Sequence, residues 1–137
     1  MKILVTGGAG FIGSHIVDAY VERGHEVFVL DNFTTGQREN LNPQARLFEA
    51  DIRDTEEVKR MFTAGGFDIV SHHAAQMDVR RSVADPMYDA SVNIIGLLNI
   101  LEPCVANGVQ RIIFASSGGA VYGEQDYFPA DESLATP

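Results

Sequence analysis

A glycine-rich turn near the start of the chain constrains the fold more than any other feature. Residues 6–13 read Thr-Gly-Gly-Ala-Gly-Phe-Ile-Gly, directly after the apolar residues 3–5 and directly before a helix-like stretch. Glycine adopts positive φ angles and lacks a Cβ, so Gly7, Gly10 and Gly13 permit a tight strand-to-helix turn that a phosphate can approach closely. The helix that follows points free N–H groups and the positive end of its dipole at this turn. The pattern therefore predicts a pocket for a diphosphate.

An acidic residue at the end of the next apolar run narrows this prediction. Asp31 follows residues 27–30, Val-Phe-Val-Leu, at a distance typical of dinucleotide-binding folds. A carboxylate there accepts hydrogen bonds from both hydroxyls of a ribose and repels a 2′-phosphate. We therefore predict that the chain binds NAD rather than NADP. A glycine pattern alone also fits an ordinary turn, but the flanking strand, the helix and Asp31 together favour a dinucleotide.

Strand-like and helix-like patterns alternate along the chain. Strands are predicted over residues 2–6, 26–30, 46–50, 68–72 and 111–116, and helices over residues 11–23, 55–64 and 86–107. The segment 32–44 is predicted to be a loop or short helix, and residues 123–137 a surface loop. The strands are continuously apolar, as in a parallel sheet that is buried on both faces. We expect an α/β fold with a doubly wound parallel sheet of the Rossmann type, which binds ligands at the carboxyl ends of its strands.

Length, charge and cysteine content exclude several classes of protein. The 137 residues suit one domain, residues 1–137. The formal net charge of −9 argues against a face for nucleic acid. Cys104, the single cysteine, lies in an apolar stretch and is predicted to be a buried, inert thiol. No apolar run approaches the ~20 residues that span a bilayer, and the chain begins with a strand rather than a signal peptide. We expect a cytoplasmic protein with no membrane or nucleic-acid partner.

Five further segments lie at or near the predicted strand ends and carry a resemblance to a known family. They are residues 31–32 (Asp-Asn), 51–54 (Asp-Ile-Arg-Asp), 72–76 (His-His-Ala-Ala-Gln), 92–93 (Val-Asn) and 116–123 (Ser-Ser-Gly-Gly-Ala-Val-Tyr-Gly). With the glycine turn, they resemble the extended short-chain dehydrogenase/reductase family over essentially the whole chain. Within that family, the chain is most similar to the nucleotide-sugar epimerases and dehydratases, in particular the 4-epimerases of UDP-glucose and UDP-galactose. The resemblance implies a UDP-sugar substrate and transient hydride transfer to NAD.

The resemblance also implies roles for individual residues. The implied cofactor-binding residues are Gly7, Gly10, Phe11, Ile12 and Gly13 at the diphosphate, Asp31 and Asn32 at the adenosine ribose, Asp51 and Ile52 at the adenine, Ala74, Ala75 and Gln76 beneath the nicotinamide ribose, and Asn93 and Ser116 near the catalytic loop. For Asn93 the implied role is structural, since it ties a helix to the neighbouring strand. An alternative interpretation of Asp51 is a solvated turn aspartate.

Ser117 is the implied catalytic residue. Ser116 and Ser117 are predicted to end the fifth strand and to face the cleft. In the resembled enzymes, a serine or threonine here hydrogen-bonds the substrate oxygen that is oxidised. A shift of that role to Ser116 stays open, as does the interpretation that both serines cap a turn. No metal site is predicted, because the adjacent side chains of His72 and His73 point to opposite faces of a strand.

One element of the resembled family does not occur in these 137 residues. Its base is a tyrosine followed four residues later by a lysine, which lowers the pKa of the tyrosine and holds the ribose. None of the four tyrosines has a lysine at that position. The chain therefore resembles the amino-terminal cofactor half of a longer enzyme, truncated before the later strands and the carboxy-terminal substrate region. We expect it to bind NAD and to be inactive alone.

Two alternatives follow from the missing element and from the loop at residues 116–123. Besides the NAD-binding part of a 4-epimerase, the chain is interpreted as a non-catalytic NAD-binding module or as part of another nucleotide-sugar epimerase or dehydratase. Gly118 and Gly119 supply no carboxylate to the loop, which argues against a dehydratase. The resembled enzymes often form homodimers through two helices of this domain type. One of those helices carries the missing tyrosine, so a homodimer is expected of a full-length enzyme rather than of this chain.

Overall fold

A parallel sheet forms the centre of the protein. The computed structural model describes residues 1–123, 127–129 and 131. In that part of the chain, five parallel strands lie in the order β3-β2-β1-β4-β5. They are β1 (Lys2–Thr6), β2 (Glu26–Asp31), β3 (Arg46–Glu49), β4 (Ile69–His72) and β5 (Arg111–Phe114). The predicted α/β, doubly wound Rossmann-type sheet is confirmed, and its parallel strands bring their carboxyl ends to one edge.

Helices connect the strands and cover the sheet. They are α1 (Phe11–Glu22), α2 (Thr55–Gly65), α3 (Val79–Ala84), α4 (Pro86–Ala90), α5 (Leu97–Ala106) and α6 (Gly118–Tyr122), with a 3₁₀ turn at Arg38–Asn40 and a π-helical segment at Ser91–Gly96. Two helices begin where the sequence predicts, at residues 55 and 86, and each is capped by the preceding aspartate. Asp54 accepts a hydrogen bond from Glu57 N at 3.0 Å, and Asp85 accepts one from Tyr88 N at 2.9 Å. The short helices α3 and α6 were not predicted, because five or six residues are too few to show a helical period.

The apolar core consists of two layers, one on each face of the sheet. Residues of β1 alternate between them. Ile3 and Val5 pack with Val17 of α1, whereas Leu4 packs on the opposite face with Phe62 of α2 and other buried residues. All three β1 side chains are fully buried. This two-sided burial explains why the strands are apolar without alternation. It also fixes the position in the sheet at which β1 ends and the glycine turn begins.

The long helix formed by α4, the π segment and α5 differs from the sequence expectation. It runs over Pro86–Ala106, 21 residues, and a window within it has a mean hydropathy of 1.3. Within the described ranges, it is long and apolar enough to cross a membrane by length and composition. The expectation that no segment is long and apolar enough to span a bilayer was therefore wrong. Asparagine, serine and glycine interrupt the apolar run in this helix, but its mean hydropathy remains positive. Ile100 and Cys104 of this helix belong to the core against the sheet. One such helix is weak evidence for a membrane segment, since helices of protein cores pass the same test.

The end of β5 is a second difference. The strand ends at Phe114 rather than at Ser116, and the predicted surface loop over residues 123–137 lies mostly outside the described residues.

Cys104 is buried as predicted, and burial raises the pKa of its thiol to about 11. The thiol therefore stays protonated at neutral pH, which is the state expected of an inert core cysteine.

Candidate functional site

A cleft of about 480 Å³ lies at the carboxyl ends of the strands. Twelve of the predicted cofactor-binding residues line it together: Gly7, Gly10, Phe11, Ile12, Gly13, Asp31, Asn32, Asp51, Ile52, Ala74, Ala75 and Gln76. They come from four separate segments of sequence, which follow β1, β2, β3 and β4. This edge is the position at which doubly wound sheets bind ligands.

The glycine turn brings three backbone segments closer together than side chains would allow. Gly7 has a φ of 68°, and a Cβ there would lie 2.8 Å from the backbone N of Ala74. A Cβ on Gly13 would collide with the carbonyl oxygen of Gly7, and one on Gly10 would lie 3.2 Å from the same oxygen. The turn therefore requires glycine at Gly7 for its conformation and at Gly13 for its packing.

The start of α1 presents unpaired donors to the cleft. The first bond of the helix runs from Ser14 N to Gly10 O at 3.0 Å, and no side chain caps the helix. The amides of Phe11, Ile12 and Gly13 precede that bond, so within the described chain they lack acceptors. Three converging N–H groups and a helix dipole form an anion site. The residues present therefore fit a diphosphate.

Asp31 is held by the backbone rather than by a basic side chain. Its Oδ2 accepts from Ala9 N at 2.9 Å and its Oδ1 accepts from Phe33 N at 2.8 Å. The residue is only 7% exposed, yet it lines the cleft. Each carboxylate oxygen has about two acceptor positions, so one remains on each oxygen for a hydroxyl donor. Asp31 can therefore accept from two neighbouring hydroxyls without losing its own bonds.

Asp51, by contrast, is saturated with donors. Its Oδ1 accepts from N and Nε of Arg53, at 2.8 and 2.9 Å, and its Oδ2 accepts from Arg53 Nη2 at 2.7 Å and Asn32 Nδ2 at 2.9 Å. The hydrogen bond from Arg53 is the main reason that the pKa of Asp51 falls to about 2. Four donors fill a carboxylate. An adenine amine would therefore have to displace one of these contacts, and Asn32 is the neutral and thus the weaker competitor.

The backbone after β4 is fixed by two side chains. Thr6 Oγ1 accepts from the amides of His73 and Ala74, each at 3.2 Å. Asn93 clamps the next turn, because its Oδ1 accepts from Gln76 N at 2.8 Å and its Nδ2 donates to Gln76 O at 2.9 Å. Asn93 lies in the π-helical segment and does not line the cleft. Asn93 therefore ties the helix to the loop after β4, whereas the sequence predicted a tie to a strand.

The two adjacent histidines face different surroundings. His72 Nδ1 lies 2.8 Å from Thr6 Oγ1, and burial lowers the pKa of this histidine to about 4. His73 lines the cleft, its Nε2 lies 2.9 Å from Ser71 Oγ, and burial lowers its pKa as well. Both imidazoles therefore stay neutral at pH 7. Within the described residues no group of three or more His, Cys, Asp or Glu side chains is placed to bind a metal ion.

Ser116 and Ser117 do not lie where the sequence placed them. β5 ends at Phe114, and Ala115 is the residue of this segment that lines the cleft. Ser116 follows outside the strand, and Ser117 is the N-cap residue of α6, where its carbonyl accepts from Val121 N at 2.9 Å. Both serines are exposed. The sequence placed them at the end of the strand because they directly follow the apolar residues 112–115. The pairing of β5 with β4, however, already ends at Phe114.

Other lining residues were not assigned to the site from the sequence. They are Leu30, Thr34, Thr35, Ala50, His73, Met77, Asp78, Arg81, Tyr88, Val92 and Ala115. Thr34 and Thr35 lie two and three residues after the predicted Asn32, and that proximity is the signal that could have identified them. Arg81 gave no signal because it reaches the cleft through α3, a helix too short to be recognised from its pattern. Tyr88 lies in the predicted helix over residues 86–107, but that pattern does not show that the helix meets the cleft.

Comparison with known proteins identifies the family. The sequence model described as the NAD dependent epimerase/dehydratase family matches residues 3–137. The chain belongs to the NAD dependent epimerase/dehydratase family. The cofactor of this family is NAD, and the cleft has the glycine turn, the free amides and the buried aspartate that such a dinucleotide requires.

Individual relatives are nucleotide-sugar epimerases. The UDP-glucose 4-epimerase of Corynebacterium glutamicum is 41% identical over 136 residues, which is 99% of this chain and 40% of that protein. Among solved structures, the Thermus thermophilus UDP-glucose 4-epimerase in complex with NAD is 50% identical, with a TM-score of 0.90. The Thermotoga maritima UDP-glucose 4-epimerase with UDP-glucose is 47% identical, also with a TM-score of 0.90.

The chain is much shorter than these members of the family. It is matched over 100% of its length by both solved structures, yet it covers only 44% of the Thermus and 45% of the Thermotoga enzyme. The shared part is the sheet and the cleft described above. What the whole enzymes do in addition depends on more residues than these 137.

Proposed function

We propose that this chain is the NAD-binding part of a nucleotide-sugar 4-epimerase of the UDP-glucose and UDP-galactose type. One observation carries the proposal: the free amides of α1 and the buried carboxylate of Asp31 line the same cleft, as a diphosphate and a ribose require. The family match and the relatives named as UDP-glucose 4-epimerases support the choice of reaction.

Different parts of the cleft would hold different parts of NAD. Gly7, Gly10, Phe11, Ile12 and Gly13 would hold the diphosphate through backbone N–H groups. Asp31 and Asn32 would hold the adenosine ribose, and Asp51 and Ile52 would contact the adenine. Ala74, Ala75 and Gln76 would support the nicotinamide ribose, with Asn93 fixing the backbone of Gln76 and Ser116 near the same end. Bound NAD would supply a reversible acceptor for the hydride that leaves a sugar carbon when its hydroxyl group is oxidised.

We assign Ser117 to the substrate oxygen at the nicotinamide end. It is the N-cap of α6, two residues after Ala115, which lines the cleft, and its hydroxyl makes no hydrogen bond within the described chain. An exposed hydroxyl can accept or donate to the oxygen of a bound sugar and so orient the proton that leaves on oxidation. Ser116 is the alternative for this role, one residue closer to β5.

The first test is binding by the purified 137-residue chain. Isothermal titration should detect NAD binding and much weaker NADP binding, because Asp31 repels a 2′-phosphate. Replacing Asp31 with asparagine removes the charge and faces an amide donor against a backbone N–H, so NAD affinity should fall about tenfold or more. Absence of NAD binding by the unmodified chain would overturn the proposal.

The second test concerns the reaction. The chain alone should not interconvert UDP-glucose and UDP-galactose, since it has no Tyr-x-x-x-Lys sequence. A chimera in which this chain replaces the matching part of the Thermus thermophilus enzyme should do so. Ser117→Ala in the chimera should lower kcat about 100-fold, while Ser116→Ala has little effect. A folded, NAD-loaded chimera without epimerase activity would refute the assignment of the reaction and leave NAD binding intact.

A non-catalytic NAD-binding module is the second candidate. The absence of Tyr-x-x-x-Lys from the 137 residues is the observation that favours it. A module of that kind would bind NAD in the first test and fail in the chimera of the second. We further propose a cytoplasmic location, no nucleic-acid or membrane partner, and homodimers of a full-length enzyme. A membrane flotation assay checks the membrane statement, since the long helix should not carry the chain into vesicles.

A further inference from the structure

The charges that line the cleft are unbalanced for an anionic ligand. Asp31, Asp51 and Asp78 contribute three carboxylates, whereas Arg81 is the one lysine or arginine among the described lining residues. The chain as a whole also has a formal net charge of −9. The dipole of α1 offers roughly half a positive charge. A dinucleotide diphosphate carries two negative charges, so the glycine turn alone compensates only a fraction of them.

Among the described residues, no acceptor pairs with the hydrogen-bond donors of the Arg81 guanidinium. Its guanidinium carbon lies 3.6 Å from the centre of the Tyr88 ring, and both residues line the cleft. In the part of the chain that the structure describes, the contact of the Arg81 side chain is this ring, with no ion pair or side-chain hydrogen bond beside it. At this separation the guanidinium face contacts the ring, and its N–H groups, which lie in the guanidinium plane, stay available.

Arg53 provides an internal comparison. It lies over the same Tyr88 ring at 5.1 Å, but its Nε and Nη2 bind Asp51 at 2.9 and 2.7 Å. Asp51 therefore neutralises one of the two arginines that flank Tyr88, while the other has no ion-pair partner among the described residues. Of the two, only Arg81 belongs to the cleft lining.

The helix that carries Arg81 is fixed relative to Tyr88. Gln76 Nε2 donates to Ser82 Oγ at 3.0 Å, and Ser82 Oγ donates to Asp89 Oδ1 at 2.7 Å. These bonds tie the loop after β4, helix α3 and helix α4 into one unit. Tyr88 is placed in turn by the hydrogen bond that its backbone N donates to Asp85 Oδ1 at 2.9 Å. The stacked pair is therefore positioned before any ligand arrives, which lowers the entropic cost of using it.

We propose that Arg81, positioned by Tyr88, binds the dinucleotide diphosphate from the side of the cleft opposite the glycine turn. This inference rests on the proposed function, since it assigns one more residue to the same NAD site. The diphosphate would lie between the backbone amides of α1 and the side-chain donors of α3. Tyr88 is then a positioning residue, and Arg81 a binding residue.

The experiment compares Arg81→Gln with Arg80→Gln in the 137-residue chain. The two substitutions remove the same charge from neighbouring positions of α3, but Arg80 does not line the cleft. Titration calorimetry with NAD and ADP-ribose, and NMR titration with adenosine, give the affinities. Arg81→Gln should weaken NAD and ADP-ribose about tenfold, leave adenosine unchanged and flatten the salt dependence of binding, whereas Arg80→Gln should change none of these.

Two further variants separate contact from folding. Arg81→Lys should recover part of the lost affinity, and Tyr88→Leu should weaken ADP-ribose several-fold without affecting adenosine. Thermal unfolding confirms that each variant is folded. The proposal is overturned if Arg81→Gln binds ADP-ribose like the unmodified chain, or if adenosine weakens equally. Failure of the unmodified chain to bind NAD would overturn the proposed function and this inference together.

Discussion

The strands β1 and β5 both lead into the cleft, but the chain surrounds them differently. Every side chain of β1 from Ile3 to Thr6 is fully buried, whereas Ile113 and Phe114 of β5 are 40% and 55% exposed. β1 has a paired strand on each side, and β5 is the edge of the described sheet. The β1 side of the cleft is therefore held by packing on both faces, and the β5 side by fewer contacts.

This difference changes how the two sides position functional groups. On the β1–β2 side, the backbone supplies the geometry: glycines permit close approach and the amides of Ala9 and Phe33 hold Asp31. On the β4–β5 side, side chains fix the backbone instead, as Thr6 and Asn93 do. The geometry of the glycine turn and of Asp31 thus depends on the backbone, whereas the geometry of the loop after β4 depends on a few polar side chains.

A steric substitution on each side should give the largest contrast. Gly13→Ala places a methyl group against the Gly7 carbonyl oxygen, within backbone that cannot move freely. We expect it to lower the free energy of unfolding by more than about 3 kcal/mol and to abolish NAD binding. Gly119→Ala in α6 is the matched control, since a Cβ there meets nothing within 4 Å. Urea unfolding and NAD titration measure both variants. Equal effects would contradict the contrast between the two sides.

The buried histidine at the boundary of the two sides predicts a pH dependence. His72 is 4% exposed, and burial lowers its pKa from 6.5 to about 4. Between these values the unfolded chain binds a proton that the folded chain does not. The free energy of unfolding should therefore fall as the pH drops from 6.5 to about 4, by at most about 3 kcal/mol, and then level off.

Urea unfolding at several pH values checks this prediction. His72→Gln should flatten the profile over that window, while His15→Gln, at an exposed position of α1, should not. An unchanged slope in His72→Gln would show that another group is responsible.

The side-chain clamp predicts an effect of intermediate size on the β4–β5 side. Asn93→Ala removes three side-chain hydrogen bonds, one to Asp89 and two that pair the amide and the carbonyl of Gln76. We expect a loss of about 2 kcal/mol in stability and faster hydrogen exchange at the Gln76 amide. Asn40→Ala, which removes one bond to the Ala9 carbonyl beside the glycine turn, should cost less, about 1 kcal/mol. The reverse order would mean that side chains matter more on the β1–β2 side.

The smallest effect is expected at the exposed Asp51–Arg53 pair. Its hydrogen bonds lower the pKa of Asp51 from 3.8 to about 2, so the pair stabilises the folded state above pH 4 and loses that contribution as the pH falls toward 2. Solvent screens both groups, and Arg53→Gln should cost less than about 1 kcal/mol at pH 7. The same variant should raise the pKa of Asp51 in an NMR titration, while Arg46→Gln, at another exposed ion pair, should leave it unchanged.

Sequence reasoning succeeded where one local pattern determines one local structure. The glycine spacing predicted the turn, the apolar runs predicted all five strands, and the helical patterns predicted the helix starts at residues 55 and 86. It failed where the outcome depends on distant neighbours. The end of β5 depends on which residues are paired by β4, so Ser116 was placed in a strand. The helix α3 depends on contacts of Gln76, Ser82 and Asp89, which no periodicity reveals.

The sequence by itself determined the order of strands and helices and the chemistry of the first half of the cleft. Those features depend on residues that are neighbours in the chain: glycines that permit a turn, and an aspartate at the end of a buried strand. Only the tertiary structure decided which side chains share the cleft and which charges stay unpaired. Arg53 and Arg81 are alike as residues, yet one is neutralised by Asp51 and the other faces the cleft. Charge pairing depends on distances between separate elements, and folding sets those distances.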